Sequence, residues 1–451
     1  MVVRLPQPAI ARNLSAALLI FTAFSAAPGT AQPPSPTLTT LYTFTGGSDG
    51  ESPLAALLTG KGGVLYGTTH FGGTGGCSLG CGTVYSVTPP ASPGGTWTEA
   101  AIHTFTNSPG DGASPYAGVV AGGGGVLYGT TYQGGTWNEG TVYSLTPPAA
   151  PGGTWTETVI YSFAGTATGD GSYPEGGVVV GKDGVLYGTT YYGGTGAACT
   201  NGCGTIYLLT PSASPGGAWT ETVLYNFGGA PGDGANPSGL AVGKGGVLYG
   251  NASSGGASGS GTVFSLTPPA SGGVWTENVL YSFQNVSGGG DGSDPQGGVA
   301  IGSGGVLYGT TFYGGAGACA AVGCGTVFSL TPPAGSGGAW IEAVLHEFAG
   351  GSDGIYPTPG VAIGSGGVLY GTTRAGGTGT ACNDGCGTVF SLTPPAALGD
   401  PWSETVLHSF AAFKQGTNPS AGVTIGAEGG LYGTTGSGGT SNSGTVFKLK
   451  P

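Results

Sequence analysis

Short apolar runs bounded by Gly and Pro follow one another in sets of four along most of the chain. In the fifth set they are Gly298–Ile301, Val306–Thr311, Gly325–Thr331 and Glu342–Phe348. Their length and flanking residues read as β-strands, here called a, b, c and d in chain order. A Gly-rich turn, Gly302-Ser303-Gly304-Gly305, joins a to b, as a hairpin needing positive φ requires. The Pro-rich stretch 332–339 joins c to d. No segment keeps a helical period, and Gly costs a helix interior about 1 kcal/mol per position. The pattern predicts an all-β chain.

Three signatures recur in the same order. Leu-Tyr-Gly places Tyr at 66, 128, 187, 249, 308, 370 and 432, spaced by 62, 59, 62, 59, 62 and 62 residues. Gly-Thr-Val/Ile-Tyr/Phe begins at Gly82, Gly140, Gly204, Gly261, Gly325, Gly387 and Gly444. A strand ending in Phe closes at Phe44, Phe105, Phe163, Phe227, Phe283, Phe348 and Phe410. Seven units of about 60 residues, each with four strands, predict a seven-bladed β-propeller with four antiparallel strands per blade. The chain opens with a lone d-type run, Thr39–Phe44, and ends after a c-type run, Gly444–Lys450. Pairing the two closes the ring and removes two exposed sheet edges. An open solenoid would leave the spare strand unexplained.

Composition changes this picture little. Gly and Pro make up 101 and 32 of 451 residues, and charged residues only 7 %. Disorder normally needs high charge and few aromatics, whereas aromatics reach 10 % here. Gly does not recur every third residue, which excludes collagen. Residues 1–31 read as a secretory signal: Arg4 and Arg12, an apolar stretch from Leu14 to Phe24, then Ser25-Ala26-Ala27 or Gly29-Thr30-Ala31 as the cleavage site. That stretch is shorter than the roughly 20 residues of a membrane span. Residues 32–38 form a linker and 39–451 the propeller. No acid precedes Asp49, so the remaining chain carries 21 acids against 7 bases. Such a surface excludes nucleic acid and anionic membranes as partners. A secreted, extracellular or periplasmic monomer is expected, with an extracellular polymer or protein as partner.

Eight Cys form four local pairs in the b–c loops: Cys77/Cys81, Cys199/Cys203, Cys319/Cys324 and Cys382/Cys386. Units two, four and seven lack both members. In an exported chain that co-occurrence predicts four disulfides, each stapling a short loop. A zinc site needs four convergent ligands, and pairs on different blades lie too far apart. Free thiols are the other alternative.

The consensus Gly-Gly-Val-Leu-Tyr-Gly-Thr-Thr (Gly304–Thr311), Gly-Thr-Val-Phe-Ser-Leu-Thr-Pro (Gly325–Pro332) and Glu-Thr-Val-Leu-Tyr-Asn-Phe (Glu221–Phe227) resembles the bacterial GloVer tandem-repeat family across residues 39–451. The resemblance implies an exported, often surface-associated repeat protein. The chain ends at Pro451 without the anchoring signal many members carry, so release is expected. A looser likeness to kelch propellers rests on Tyr187, Gly193-Gly194, Tyr207, Pro211 and Trp219 in that order, and implies fold only. The copper ligand set of kelch-type oxidases has no match here.

Catalytic candidates are sparse. His103, His346 and His408 occupy the strand-d slot that holds Tyr161, Tyr225 and Tyr281 elsewhere. Glu99, Glu157, Glu221, Glu277, Glu342 and Glu404 follow the repeat Trp by two residues, and Asp49, Asp111, Asp170, Asp233, Asp291 and Asp353 each precede Gly in the d–a loop. Asp-Gly suits tight turns, so structural duty is expected. A calcium loop alternates acidic ligands, and these loops offer one each, Asp291/Asp294 coming nearest. No nucleophile elbow is present. No metal or cofactor is expected.

Strand counting puts the d–a and b–c loops on one face. There the positions after Thr-Thr vary: His70/Phe71, Tyr132, Tyr191/Tyr192, Phe312/Tyr313 and Arg374, with Trp137 nearby. Rings among hydroxyls and few charges suit stacking on sugars. This face is the expected ligand site of a binding or structural module; packing of the rings on one another is the competing account. The alternative function is an extracellular carbohydrate-active lyase or hydrolase, which would gather its non-repeat polar residues at one end of the axis. His70, Arg374, Glu139, Glu175 and Asp384 are those residues, scattered over four units. Six repeat Trp, from Trp97 to Trp402, are expected to pack rather than bind.

Overall fold

The computed structural model describes residues 35–451 apart from 151, 215, 230, 271, 285–289, 318, 320–321, 336 and 398. The proposed signal lies outside the described residues. Pro36–Pro451 form one compact unit, and among its described residues no α-helix forms.

The unit is a seven-bladed β-propeller. Blade one runs outward through Leu58–Thr59, Leu65–Thr69, Thr83–Thr88 and Thr98–Thr104, each strand antiparallel to its neighbour. The other blades repeat this order. The a–b turn is one tight 3-10 turn, with Gly304 and Gly305 at φ 70° and 81° in blade five. Thr37–Thr43 supplies the outermost strand of blade seven, pairing with Thr445–Lys450 in the register Thr37↔Lys450 to Thr43↔Thr445. The ring closes as the spare strand requires.

The inner strand is longer than its apolar run suggests. In blade five it has two pieces, Ser293–Pro295 and Ala300–Ile301, both paired with Leu307–Tyr313. Pro295 has no N–H to give the ladder, and the chain bulges over 296–299 before rejoining it. Asp294 sits just before the Pro at φ 57°, and Ser52, Ser114, Tyr173, Asn236, Tyr356 and Asn418 repeat that left-handed conformation in the other blades. An inter-blade hydrogen bond holds each one. Ser114 N donates to the Cys81 carbonyl (2.7 Å), Asn236 N to Cys203 (2.8 Å) and Asp294 N to Ser260 (3.0 Å). Such backbone strain persists only where surroundings over-determine it.

The core lies between blades. Phe105, ending blade one, meets Tyr143 of blade two edge-on at 5.1 Å. Phe44 of the closing strand meets Tyr85 of blade one at 4.9 Å. Buried clusters span neighbouring blades in the same way, and one joins Phe44 and Val446 to Leu57, Leu65 and Val87 across the closure. The repeat Trp pack on the Leu-Tyr-Gly tyrosine of the preceding blade, Trp219 on Tyr128 at 6.0 Å for example. All four Cys pairs are disulfide-bonded.

Candidate functional site: the axial cavity

The bulge after each repeat Pro points one residue at the propeller axis. These are Leu54, Tyr116, Glu175, Ser238, Gln296, Thr358 and Ser420, and together they line a cavity of about 510 Å³. A cavity touched by every blade of a ring lies on its axis. Tyr191, Ser253, Phe312 and Arg374, the residues that follow the Thr-Thr position of strand b, complete its wall. A second hollow of about 310 Å³ shares Tyr191 and Ser253 and reaches Asp294.

The wall is held by side chains that cross blade seams. Thr68 Oγ1 donates to the Ala117 carbonyl at 3.0 Å, Thr372 to Ala421 at 2.8 Å, and Thr434 to Ala55 at 3.0 Å across the closure. In blade four Asn251 replaces Thr: its Nδ2 donates to the Gln296 and Gly298 carbonyls, and its Oδ1 accepts from Gly298 N at 3.0 Å. Groups fixed this way are preorganised for a ligand.

The two charged side chains that line the cavity, Glu175 and Arg374, form no ion pair with each other. Burial, and next the nearby Asp294 carboxylate, push Glu175 up to about 7. Burial also raises Asp294, opposed by the Gln296 amide that donates to it at 2.9 Å. The Tyr116 hydroxyl is raised by burial and by Glu175, with Arg374 acting the other way. Arg374 is exposed and, among the described residues, forms no ion pair or side-chain hydrogen bond. Ser253 Oγ, beside the Tyr191 hydroxyl, is buried without a partner in hydrogen-bonding geometry.

Of the residues nominated from sequence, Tyr191, Phe312 and Arg374 line the cavity. His70, Phe71, Tyr132 and Tyr192 join a run of rings on the same face: Phe71–His70 at 4.3 Å, His70–Tyr116 at 5.7 Å, Tyr132–Tyr173 at 4.6 Å and Tyr173–Tyr192 at 6.0 Å. Phe312 stacks on Tyr356 at 4.8 Å with Tyr313 edge-on to both. The rings thus pack on one another while staying half-exposed. Trp137, in the b–c loop of blade two, is 62 % exposed and does not line the cavity.

The five scattered polar residues divide. Glu175 and Arg374 both line the cavity without pairing, and the His70 ring packs edge-on against its Tyr116. Glu139 serves the seam, its carbonyl accepting from Tyr173 N at 2.8 Å, and the Asp384 carbonyl accepts from Gly376 N at 2.6 Å within its own loop. The structure thus gathers Glu175 and Arg374 from different units at the axis and leaves Glu139 and Asp384 apart from them. Sequence reasoning missed the post-Pro position. Its signal was chemical variety, Leu, Tyr, Glu, Ser, Gln, Thr and Ser behind an invariant Pro. The repeat acids are structural: Asp170 accepts from Tyr161 OH at 2.9 Å and Ala164 N at 2.8 Å, and Asp291 accepts from Tyr281 OH and Gln284 N.

A profile of the Gloeobacter/Verrucomicrobia repeat matches residues 24–200, 170–380 and 273–451. The chain belongs to this repeat family. No curated protein matches the sequence of this family member. Similar solved structures include a fungal alcohol oxidase of the AA5 family in complex with copper, 13 % identical over 92 % of this chain and 76 % of its own, with a TM-score of 0.53. A glucose dehydrogenase is 14 % identical over 92 % and 99 %, with a TM-score of 0.42. Trypanosoma rangeli sialidase is 11 % identical, with a TM-score of 0.40; the match covers 93 % of this chain but only 60 % of that enzyme. At such identity the likeness to the oxidase concerns the fold alone.

Proposed function

We propose that this repeat-family propeller is an exported carbohydrate-binding module that takes a saccharide into its axial cavity. The observation that carries this reading is the wall itself: Tyr116, Tyr191 and Phe312 present rings beside the Gln296 amide and Ser253 hydroxyl in one concave site. Rings stack on the apolar faces of sugars while fixed donors and acceptors read the hydroxyls. The ring run over blades one to three would extend the contact surface for a polymer. Four disulfides favour an oxidising compartment, and no helix among the described residues is long and apolar enough to cross a membrane.

A glycan array followed by calorimetry tests the reading. A Tyr191→Ala/Phe312→Ala double variant is expected to lose at least about tenfold in affinity, roughly 1.4 kcal/mol. A parent protein that binds no glycan refutes it. The second reading, a carbohydrate-active hydrolase, draws on one feature: Glu175, held neutral to about 7, lies within reach of the Asp294 charge. Two carboxyls that share a site can divide acid and base roles. Release of reducing ends from a bound glycan, abolished in Glu175→Gln, would favour this reading over pure binding.

A further inference from the structure

The cavity holds a cation that the fold leaves without a partner. Arg374 is the one Arg after Arg12 in the chain, and it occupies a position where the other blades carry His70, Tyr132, Tyr191, Ser253, Phe312 and Gly436. Its guanidinium reaches no carboxylate: among the described residues the ion pairs are His103–Asp111, His346–Asp353 and Lys448–Glu428. Glu175 in the cavity and Asp294 in the adjoining hollow are perturbed by burial, and Glu175 also by Asp294, with no contribution from Arg374. The field of Arg374 is felt instead at Tyr116 on the cavity wall. A guanidinium is a planar fork of donors that matches a carboxylate bidentately.

We propose that the axial cavity selects a uronic-acid residue, Arg374 holding the sugar carboxylate while Tyr116, Tyr191 and Phe312 flank the pyranose ring. The inference rests on the sugar-binding reading above and deepens it. One guanidinium supplies one positive charge, with Glu175 in the same cavity and Asp294 in the hollow that adjoins it. A singly charged planar carboxylate meets that balance. A phosphate, carrying up to two charges, would repel the acids more strongly. The Gln296 amide and Ser253 hydroxyl remain to address ring hydroxyls.

Calorimetry on the full disulfide-bonded protein at pH 6, with the methyl glycosides of glucuronate and galacturonate against those of glucose and galactose, tests this. At least one uronide is expected to bind about tenfold more tightly than its neutral counterpart. Arg374→Gln should erase that difference, while Arg374→Lys retains part of it. An unchanged melting temperature shows that the variants are folded. Equal affinity for uronide and neutral sugar overturns the carboxylate assignment and leaves the sugar-binding reading standing, as does stronger binding of glucose 6-phosphate than of glucuronate. No binding of any saccharide, by these ligands or on the array, overturns both.

Discussion

Strand c carries Tyr85, Tyr143 and Tyr207 in the first three blades and Phe264, Phe328, Phe390 and Phe447 in the last four. The rings fill the same inter-blade slot, but the three hydroxyls are buried with no hydrogen-bond partner. An orphaned buried hydroxyl costs about 1–3 kcal/mol. A second orphan marks blade four. Elsewhere the second Thr of Thr-Thr bonds the Thr that opens strand c, as Thr190 does Thr205 at 2.9 Å; Ala252 breaks the series and leaves Thr262 Oγ1 unpaired. Tyr143→Phe, Tyr207→Phe and Ala252→Thr should therefore each stabilise by about 1 kcal/mol, read as a rise in the denaturant midpoint. A fall in all three would mean that these slots are not equivalent between blades.

At the scale of the element, the disulfides fasten a particular joint. The second Cys of each pair presents its carbonyl to the strained residue of the next blade: Cys324 to Tyr356 N at 2.8 Å and Cys386 to Asn418 N at 2.9 Å. Glu139, Ser260 and Ser443 do the same without a disulfide. The bridged residues are only four or five apart, so each loop closure contributes about 2 kcal/mol on a chain-entropy estimate. Reduction is expected to lower the melting temperature and loosen the loop face while far-UV circular dichroism stays β. Amide exchange should rise first at Ser114, Asn236, Tyr356 and Asn418. Collapse of the β signal on reduction would show that the staples hold the blades themselves.

The whole molecule carries a belt of carboxyls at its blade seams. Glu99, Glu157, Glu221, Glu277, Glu342 and Glu404 are each pushed up to about 7, by burial and then by the neighbouring Asp49, Asp111, Asp170, Asp233, Asp291 or Asp353. Unfolded, a Glu ionises near 4.5. Between those values the folded protein binds more protons than the unfolded chain, so stability is fullest below about 4.5 and declines as pH rises through 7. His70, His103 and His408, lowered by burial, act the other way below about 6.5 and are fewer. The melting temperature should fall between pH 5 and pH 8, and Glu221→Gln should make the fall shallower. A melting temperature that rises over that interval contradicts the seam electrostatics.

Strand pattern, repeat number and ring closure were legible because each is written locally and then seven times: an apolar run, a Gly turn, a spare strand at one end and a missing one at the other. Structural duty for the repeat Asp and Trp was legible for the same reason, since a residue present in nearly every blade answers to the blade. The cavity was not. Glu175 and Arg374 are far apart in the chain and in different units, and nothing local relates them; closure of the circle brings both to the axis. The bulge over 296–299 was equally hidden, because Pro295 and the left-handed Asp294 interrupt a ladder whose register only the neighbouring strand defines. Repetition made the scaffold readable, and the departures from repetition acquire meaning only where seven blades meet.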